Sequence, residues 1–321
     1  MPAVTALIPT WNRAPAVARL IARLQEQTRP PDHILVVDDG STDGAGETAC
    51  RLGAEVLRLP RNMGFAAAVN RGLTSVATDW VAVINNDVEP ERDWLEHLYQ
   101  ALSQPDVWFA TGKLLSAGNP HLVDGSFDLP CRGGVAWRAG CGRPDAAEWN
   151  RPRRIRCAPW TAVLLRMELF QRVGFLDETF GSYLEDVDFG IRCALGGWEG
   201  VYEPRAVALH QGSGTLGARS AAAVRWIARN QMLLAAKYRL SSPWPAIVAQ
   251  TLWTLLAFRR GAGLACLRGK WEGWRLSRSI APRLEDTARL EALFRDSERE
   301  LREIQCRTGV DLFWKWYLAL T

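Results

Sequence analysis

Several things are missing from this 321-residue sequence, and each absence removes a class of protein. No two cysteines have C-x-x-C spacing, and the seven present are an odd number scattered along the chain. That excludes a disulfide framework and a cysteine zinc site, and it suits a reducing cytoplasm. No run of about 18 uninterrupted apolar residues occurs. The nearest, Trp244 to Phe258, contains Pro245 and Gln250 and is too short to cross a bilayer. Met1 to Pro9 carries no basic region of the kind that opens a secretory leader. A large excess of one charge is lacking too: 39 Lys and Arg against 35 Asp and Glu leave +4, which does not point to a nucleic-acid binder. G-x-G-x-x-G does not follow the first strand-like stretch, which excludes a dinucleotide dehydrogenase. There is no internal repeat or low-complexity tract.

What is present is ordinary globular composition, 48% hydrophobic and 23% charged, with one excess: 15 tryptophans. The first hundred residues alternate strand and helix patterns. Val4 to Pro9 reads as a buried strand. Ala14 to Gln27 reads as a helix with Val17, Leu20, Ile21 and Leu24 on one face. Ile34 to Val37 is a second strand, closed by Asp38-Asp39-Gly40-Ser41. Asp43 is a candidate N-cap for a helix to Arg51, followed by a short strand at Glu55 to Arg58 and a small-residue helix at Phe65 to Val76. Trp80 to Ile84 is a fourth strand, closed by Asn85-Asn86-Asp87. Alternation with polar clusters after the strands implies an α/β fold around a parallel sheet, with a site at the strands' C-terminal edge.

Leu114 to Arg156 is rich in Gly, Pro and Arg and reads as loops and short strands. Strand Thr161 to Arg166, helices Met167 to Arg172 and Asp186 to Leu195, and short strands at Gly200 to Tyr202 and Ala206 to His210 follow. From about Ser220 the pattern is helical. The division expected is a catalytic domain over 1–218 and a helical region over 219–321.

Five constellations carry chemistry. Asp38-Asp39-Gly40-Ser41-Thr42-Asp43 places carboxylates at a strand end, where one could accept a pyrimidine imide N–H or simply close a turn. Asn62-Met63-Gly64 before small residues lets backbone approach a flat ligand, or makes a packed loop-to-helix junction. Asn85-Asn86-Asp87 offers one carboxylate among amide oxygens, a weak site for Mg²⁺ or Mn²⁺ unless phosphates add ligands, or a polar turn. Glu185-Asp186-Val187-Asp188 groups three carboxylates whose mutual repulsion, in a shared pocket, would raise a pKa and prepare a base; otherwise it is an acidic helix start. His210 becomes a metal candidate only in the company of Asp87.

Order and spacing of these residues, with Ile8-Pro9-Thr10-Trp11-Asn12-Arg13, resemble family 2 glycosyltransferases, inverting enzymes of bacterial polysaccharide assembly with the GT-A fold. The resemblance covers roughly residues 3 to 215 and is nearest the rhamnosyltransferases and related O-antigen and cell-wall enzymes. It implies a GT-A sheet with a C-terminal helical extension. By that resemblance Asp39 reads the base of a UDP- or dTDP-sugar, with Pro9, Thr10, Asn62 and Asn86 also at the nucleotide. Asp87 and His210 hold Mg²⁺ or Mn²⁺. Asp186, beside Glu185, is the catalytic base, and the acceptor is a glycan or a polyprenyl-diphosphate-linked sugar. Asn-Asn-Asp departs from the family's acidic triplet. Trp160 departs from a small-residue stretch beside the acceptor and is expected either to stack on the acceptor sugar or to fill the core.

The last third changes character. Seven of the tryptophans lie beyond residue 220, and between Arg259 and Arg278 six cations face one acid, Glu272. Apolar residues up to Phe258, followed by this basic stretch with Trp271 and Trp274, have the composition of an interfacial helix pair on anionic lipid. The same residues also suit a basic face with an interdomain core. Pro282 to Arg307 alternates in sign, as an exposed helix or a homo-oligomer contact does. The location implied is cytoplasmic, peripheral to the membrane. Against the enzyme reading stands a non-catalytic nucleotide-sugar or glycan-binding protein of the same fold. A nucleotidyltransferase would need a Gly-rich basic phosphate loop near the first strand, which Ile8 to Asn12 is not.

Overall fold

The seven residues of β1 (Val4–Thr10) are all buried, as a parallel strand covered on both faces requires. After it come α1 (Ala14–Gln25), β2 (His33–Asp38), α2 (Ala45–Arg51), β3 (Glu55–Arg58), α3 (Phe65–Leu73) and β4 (Trp80–Ile84). Strand β1 pairs in parallel with β2 and β4, and β2 with β3. In α1 the buried stripe is Val17, Leu20, Ile21 and Leu24, the 3–4 spacing that lays one helix face on a sheet.

The chain continues through β5 (Val88–Pro90), α4 (Trp94–Leu102), β6 (Phe109–Ser116), β7 (Asn119–Gly125), β8 (Asp128–Cys131), β9 (Val135–Arg138), β10 (Arg153–Ile155), β11 (Ala162–Arg166), α5 (Glu168–Val173), α6 (Glu185–Gly196) and β12 (Gly200–His210). One mixed sheet results, ordered β10-β12-β6-β11-β4-β1-β2-β3, with β5 added to β12 and β7 to β6. Antiparallel β11 lies between β4 and β6. Two short strands expected at 200–202 and 206–210 are one strand, β12, with an irregularity between Glu203 and Val207. Helix α4, with buried Trp94, Leu95 and Leu98, had no reading in the sequence.

This computed structural model describes residues 1–212, 220–280 and 287–321. It divides into two compact units, Met1–Phe127 with Gly140–Thr215, and Asp128–Ala139 with Leu216–Thr321. The boundary expected at 218/219 and the start of the helix expected at Pro282 lie outside the described residues. The β8–β9 hairpin belongs with the helices.

The second unit adds α7 (Ala221–Lys237), α8 (Trp244–Arg259), α9 (Gly263–Ser277), α10 (Thr287–Thr308) and α11 (Leu312–Leu320). Helices α7 and α9 touch backbone to backbone. A Cβ on Gly269 would stand 2.1 Å from the Arg225 carbonyl oxygen, and one on Gly273 2.4 Å from that of Arg229. Two glycines one turn apart therefore permit the crossing. The hairpin is fixed by a buried knot: Arg132 pairs with Glu298 of α10 at 2.6 Å, and the Tyr317 hydroxyl of α11 lies 2.6 Å from both Glu298 Oε1 and the Arg132 carbonyl.

Candidate active site

Polar residues gather where β1, β2 and β4 end, because Val, Ile and Leu fill the strands themselves and the turns beyond them must satisfy free backbone groups. At the end of β1, Thr10 is 3% exposed. Its hydroxyl accepts from Asn86 Nδ2 at 2.6 Å and donates to the Asn12 carbonyl at 3.1 Å. The first and fourth strands' turns are thus tied side chain to side chain. Asn12 and Arg13 both hold left-handed φ, 61° and 68°, a strained pair that turns the chain sharply into α1. Asp43 Oδ2 accepts from the Ala14 N–H at 2.8 Å, and its Oδ1 accepts from the Ala45 N–H at 3.1 Å. Asp43 thereby pins the starts of α1 and α2 rather than serving as the N-cap of α2, a position that Gly44 takes.

After β2, the Asp38 carboxylate closes its own turn by accepting from the Ser41 N–H at 2.8 Å. Asp39 reaches across to the Asn62–Gly64 loop, where Oδ1 accepts from the Met63 N–H at 2.7 Å and Oδ2 from the Gly64 N–H at 3.0 Å. Burial raises the Asp39 pKa, outweighing the two N–H groups that favour its charge, with Asp38 adding repulsion. Asn62 is exposed, and its Oδ1 accepts from the Gly64 N–H at 3.2 Å. Gly40, at φ +74°, lies under this loop, where a Cβ would meet the Arg61 backbone at 2.7 Å. The loop continues into α3, whose first turn binds the segment before α6: the Ala66 N–H donates to the Gly181 carbonyl at 2.8 Å.

After β4, Asp87 is 6% exposed. His210, at the end of β12, points Nε2 at Asp87 Oδ1 at 3.4 Å, while its Nδ1 contacts Asp124 Oδ2 of β7 at 2.6 Å. Burial opposes a charge on His210, but the hydrogen bonds to Asp124 and Asp87 prevail and push its pKa up to about 9. Arg13 Nη1 stands 3.7 Å from Asp87 Oδ2 and is buried without a hydrogen bond among the described residues. Structure thus places Asp87 and His210 side by side. It adds Asp124 and Arg13, which sequence reasoning missed: Arg13 lay inside a motif already noted, whereas Asp124 sits in the irregular middle and gave no signal.

Among the described residues no group of three or more His, Cys, Asp or Glu side chains is arranged to hold a metal unaided. Two potential ligands do fit a divalent ion that completes its shell on a substrate. An imidazole whose Nδ1 is held by a carboxylate presents a fixed Nε2, the arrangement that orients metal-binding histidines.

The acidic triplet opens α6 behind a second left-handed pair, Tyr183 at φ 71° and Leu184 at φ 67°. Its carboxylates do not act as one pocket. Asp188 is fully buried and pairs with Arg192 at 3.0 Å, whose other nitrogens donate to the Val173 and Phe175 carbonyls at 2.8 and 2.7 Å. Asp186, 8% exposed, accepts from the Val187 N–H at 2.8 Å and the Trp160 N–H at 3.4 Å. Glu185 is 6% exposed. Trp160 itself requires a correction. Its indole is 2% exposed and meets Phe189 and Phe170 edge to face, at 5.0 and 6.1 Å, so no face remains for an acceptor sugar to stack on. Its backbone instead joins the two halves of the site: Trp160 N–H holds Asp186, and the next carbonyl, Thr161, accepts from the Asn85 N–H at 2.9 Å. Trp11, by contrast, is 38% exposed beside the β1 turn.

A model of glycosyl transferase family 2 matches residues 5–122. The N-acetylglucosaminyl-diphospho-decaprenol L-rhamnosyltransferase of Mycobacterium tuberculosis is 30% identical over 274 residues, 78% of this chain and 89% of that protein. The pre-mycofactocin glycosyltransferase of the same organism is 31% identical over 64% of this chain and 42% of its own length. Among solved structures, a mannosyltransferase from Pyrobaculum calidifontis in complex with GDP-Man and Mn²⁺ aligns with TM-score 0.56 at 17% identity, over 99% of this chain and 86% of that one. GalNAc-T7 with UDP, GalNAc and Mn²⁺ aligns with TM-score 0.62 at 12% identity, over 99% of this chain and 56% of its own. The mixed sheet with its flanking helices is that of the GT-A glycosyltransferases.

Proposed function

This chain belongs to glycosyl transferase family 2, and on that premise we propose that it transfers a sugar from a UDP- or dTDP-sugar to a hydroxyl of a glycan or lipid-linked acceptor, with inversion. One observation carries the reading. A buried carboxylate held by two backbone N–H groups, Asp186, is linked through Trp160–Thr161 to the turn that bears Asp87 and its His210 neighbour. The rhamnosyltransferase relative, whose name gives a diphospho-decaprenol substrate, favours a polyprenyl-diphosphate-linked acceptor.

The roles follow from where each group stands. Asp39, Asn62, Pro9, Thr10 and Asn86 surround the ends of β1 and β2 and receive the nucleotide. Asp87 and His210 Nε2 are the residues that would hold Mg²⁺ or Mn²⁺. A divalent ion there would supply positive charge against the negative charge that develops on the departing diphosphate. Arg13, short of partners for its buried nitrogen, adds a cation to the same oxygens. Asp186 takes the proton of the acceptor hydroxyl as that oxygen bonds to the anomeric carbon and the nucleoside diphosphate leaves from the opposite face. One base suffices, because no covalent sugar–enzyme intermediate is formed. Glu185, the neighbouring buried carboxylate, adds like charge beside the base, which favours its taking up a proton.

No helix among the described residues is long and apolar enough to cross a membrane. Helices α8 and α9 expose Trp244, Ile247, Leu255, Phe258, Leu264 and Trp271 next to Arg259, Arg260 and Arg268. This supports a peripheral seat on an anionic bilayer. Screening UDP- and dTDP-sugars for acceptor-dependent release of the nucleoside diphosphate, with Mg²⁺ or Mn²⁺, tests the proposal. Tight nucleotide-sugar binding with no release under any pairing would favour the non-catalytic reading.

A further inference from the structure

The second unit contains a groove lined by none of the residues assigned above to glycosyl transfer. It lies between α7, α8 and α9, has a volume of about 620 Å³, and is walled by Met232, Ile247, Leu255, Leu267 and Trp271. One charged side chain, Lys270, lines it, with Gln250, Thr251 and Thr254 as its polar company. The Gln250 amide is fixed, because its Nε2 donates to the Gly133 carbonyl at 2.9 Å, and this turns Oε1 to accept from Lys270 Nζ.

An ammonium in such a place needs an anion. The one acid in the 259–278 stretch, Glu272, is turned away and engages Arg225 of α7. Burial pulls the Lys270 pKa down to about 8, with the nearby Cys266 sulfur a smaller, opposing influence. Among the described residues no acidic side chain is paired with this amine. Two of its three N–H donors remain after Gln250. The walls are apolar, and the rim carries Trp271 stacked on Trp274 at 5.1 Å, with Arg278 over Trp274 at 4.0 Å.

We propose that this groove receives one anionic lipid, its phosphate on Lys270 and the first part of its chain against Ile247, Leu255 and Leu267. The complementarity is specific in kind. A free anion would leave the apolar walls wet, and a neutral chain would leave the ammonium buried without a counter-ion. The proposal rests on the peripheral-membrane reading and sharpens it from a basic face to a single headgroup site.

Amine labelling of Lys270 near pH 8.5, read by peptide mass spectrometry, tests it alongside vesicle sedimentation, using the full chain with phosphatidylcholine vesicles, phosphatidylglycerol-containing vesicles, or inorganic phosphate alone. Phosphatidylglycerol vesicles are expected to suppress labelling of Lys270 at least fivefold, while phosphatidylcholine and inorganic phosphate leave it unchanged. K270M should bind phosphatidylglycerol vesicles about tenfold more weakly, yet keep the salt sensitivity that the arginines provide, and K270R should recover much of the loss. K270M removes a buried charge and should melt no lower than wild type, so weaker binding would not report misfolding. Unchanged labelling on vesicles that demonstrably carry the protein, or equal sedimentation of K270M, overturns the Lys270 site and leaves the membrane reading standing. Equal protection by inorganic phosphate makes it a free-anion site and also overturns it. If wild type binds no anionic vesicle at low salt, the membrane reading and this site fall together.

Discussion

Asp188 and Asp186 are two residues apart, and their surroundings give them different work. Asp188 has no exposure and a guanidinium at 3.0 Å, so its charge is spent on holding α6 to the segment before it through Arg192. Removing the cation strands a buried carboxylate. Arg192→Met should therefore cost about 3–5 kcal/mol of stability in denaturant unfolding. A loss within about 0.5 kcal/mol would show the pair to be dispensable. Asp186 accepts instead from the Val187 and Trp160 N–H groups, the second of which belongs to the segment that reaches the β4 turn. The family resemblance singled out Asp186, but the residues by themselves did not show what holds Asp188, because their partners stand 26 residues upstream of the one and four downstream of the other. Trp160 was equally open: whether an aromatic ring is wall or core depends on Phe170 and Phe189, and not on its neighbours in the chain.

At the scale of elements, the parallel half of the sheet was legible because β1, β2 and β4 are largely apolar runs, with Asp and Asn clusters after β2 and β4. From β6 onward the pattern fades. Strand β7 exposes Asn119, Pro120 and His121, pairs with β6 at one edge, and yet supplies Asp124 to the histidine that β12 brings in. Only antiparallel return of the chain makes neighbours of residues 86 positions apart. The α7–α9 crossing is a second element-level feature, and it rests on glycine at 269 and 273. Gly269→Leu has no room before the Arg225 carbonyl and should destabilise the helical unit by at least about 3 kcal/mol. Far-UV circular dichroism melts would check this; a melting temperature within about 1 °C of wild type would mean that the helices are not locked there.

For the whole molecule, the near-neutral +4 conceals a division of charge, with carboxylates gathered at the strand ends and an arginine-rich face on α8 and α9. Lys270 makes that division measurable through pH. Its folded pKa near 8 lies below the ordinary lysine value of 10.5, so the folded protein binds fewer protons there than the unfolded chain. The penalty is complete below pH 8 and fades as pH rises toward 10.5. K270M should accordingly exceed wild type in stability by on the order of 1 kcal/mol at pH 7, with the gap closing by pH 10.5. A gap that widened with pH would contradict the burial of an uncompensated ammonium.

We propose that a nucleotide-sugar bound beside Asp87 and His210 is displaced by a hydroxyl that Asp186 deprotonates. Comparing wild type with Asp186→Asn, in the same preparation, for nucleotide-sugar affinity and for acceptor-dependent nucleoside diphosphate release tests it most directly. The account predicts donor binding within about threefold of wild type and turnover reduced by about 10²–10⁴, the range for loss of a general base. Turnover at the wild-type rate in Asp186→Asn, with donor binding intact, would contradict it.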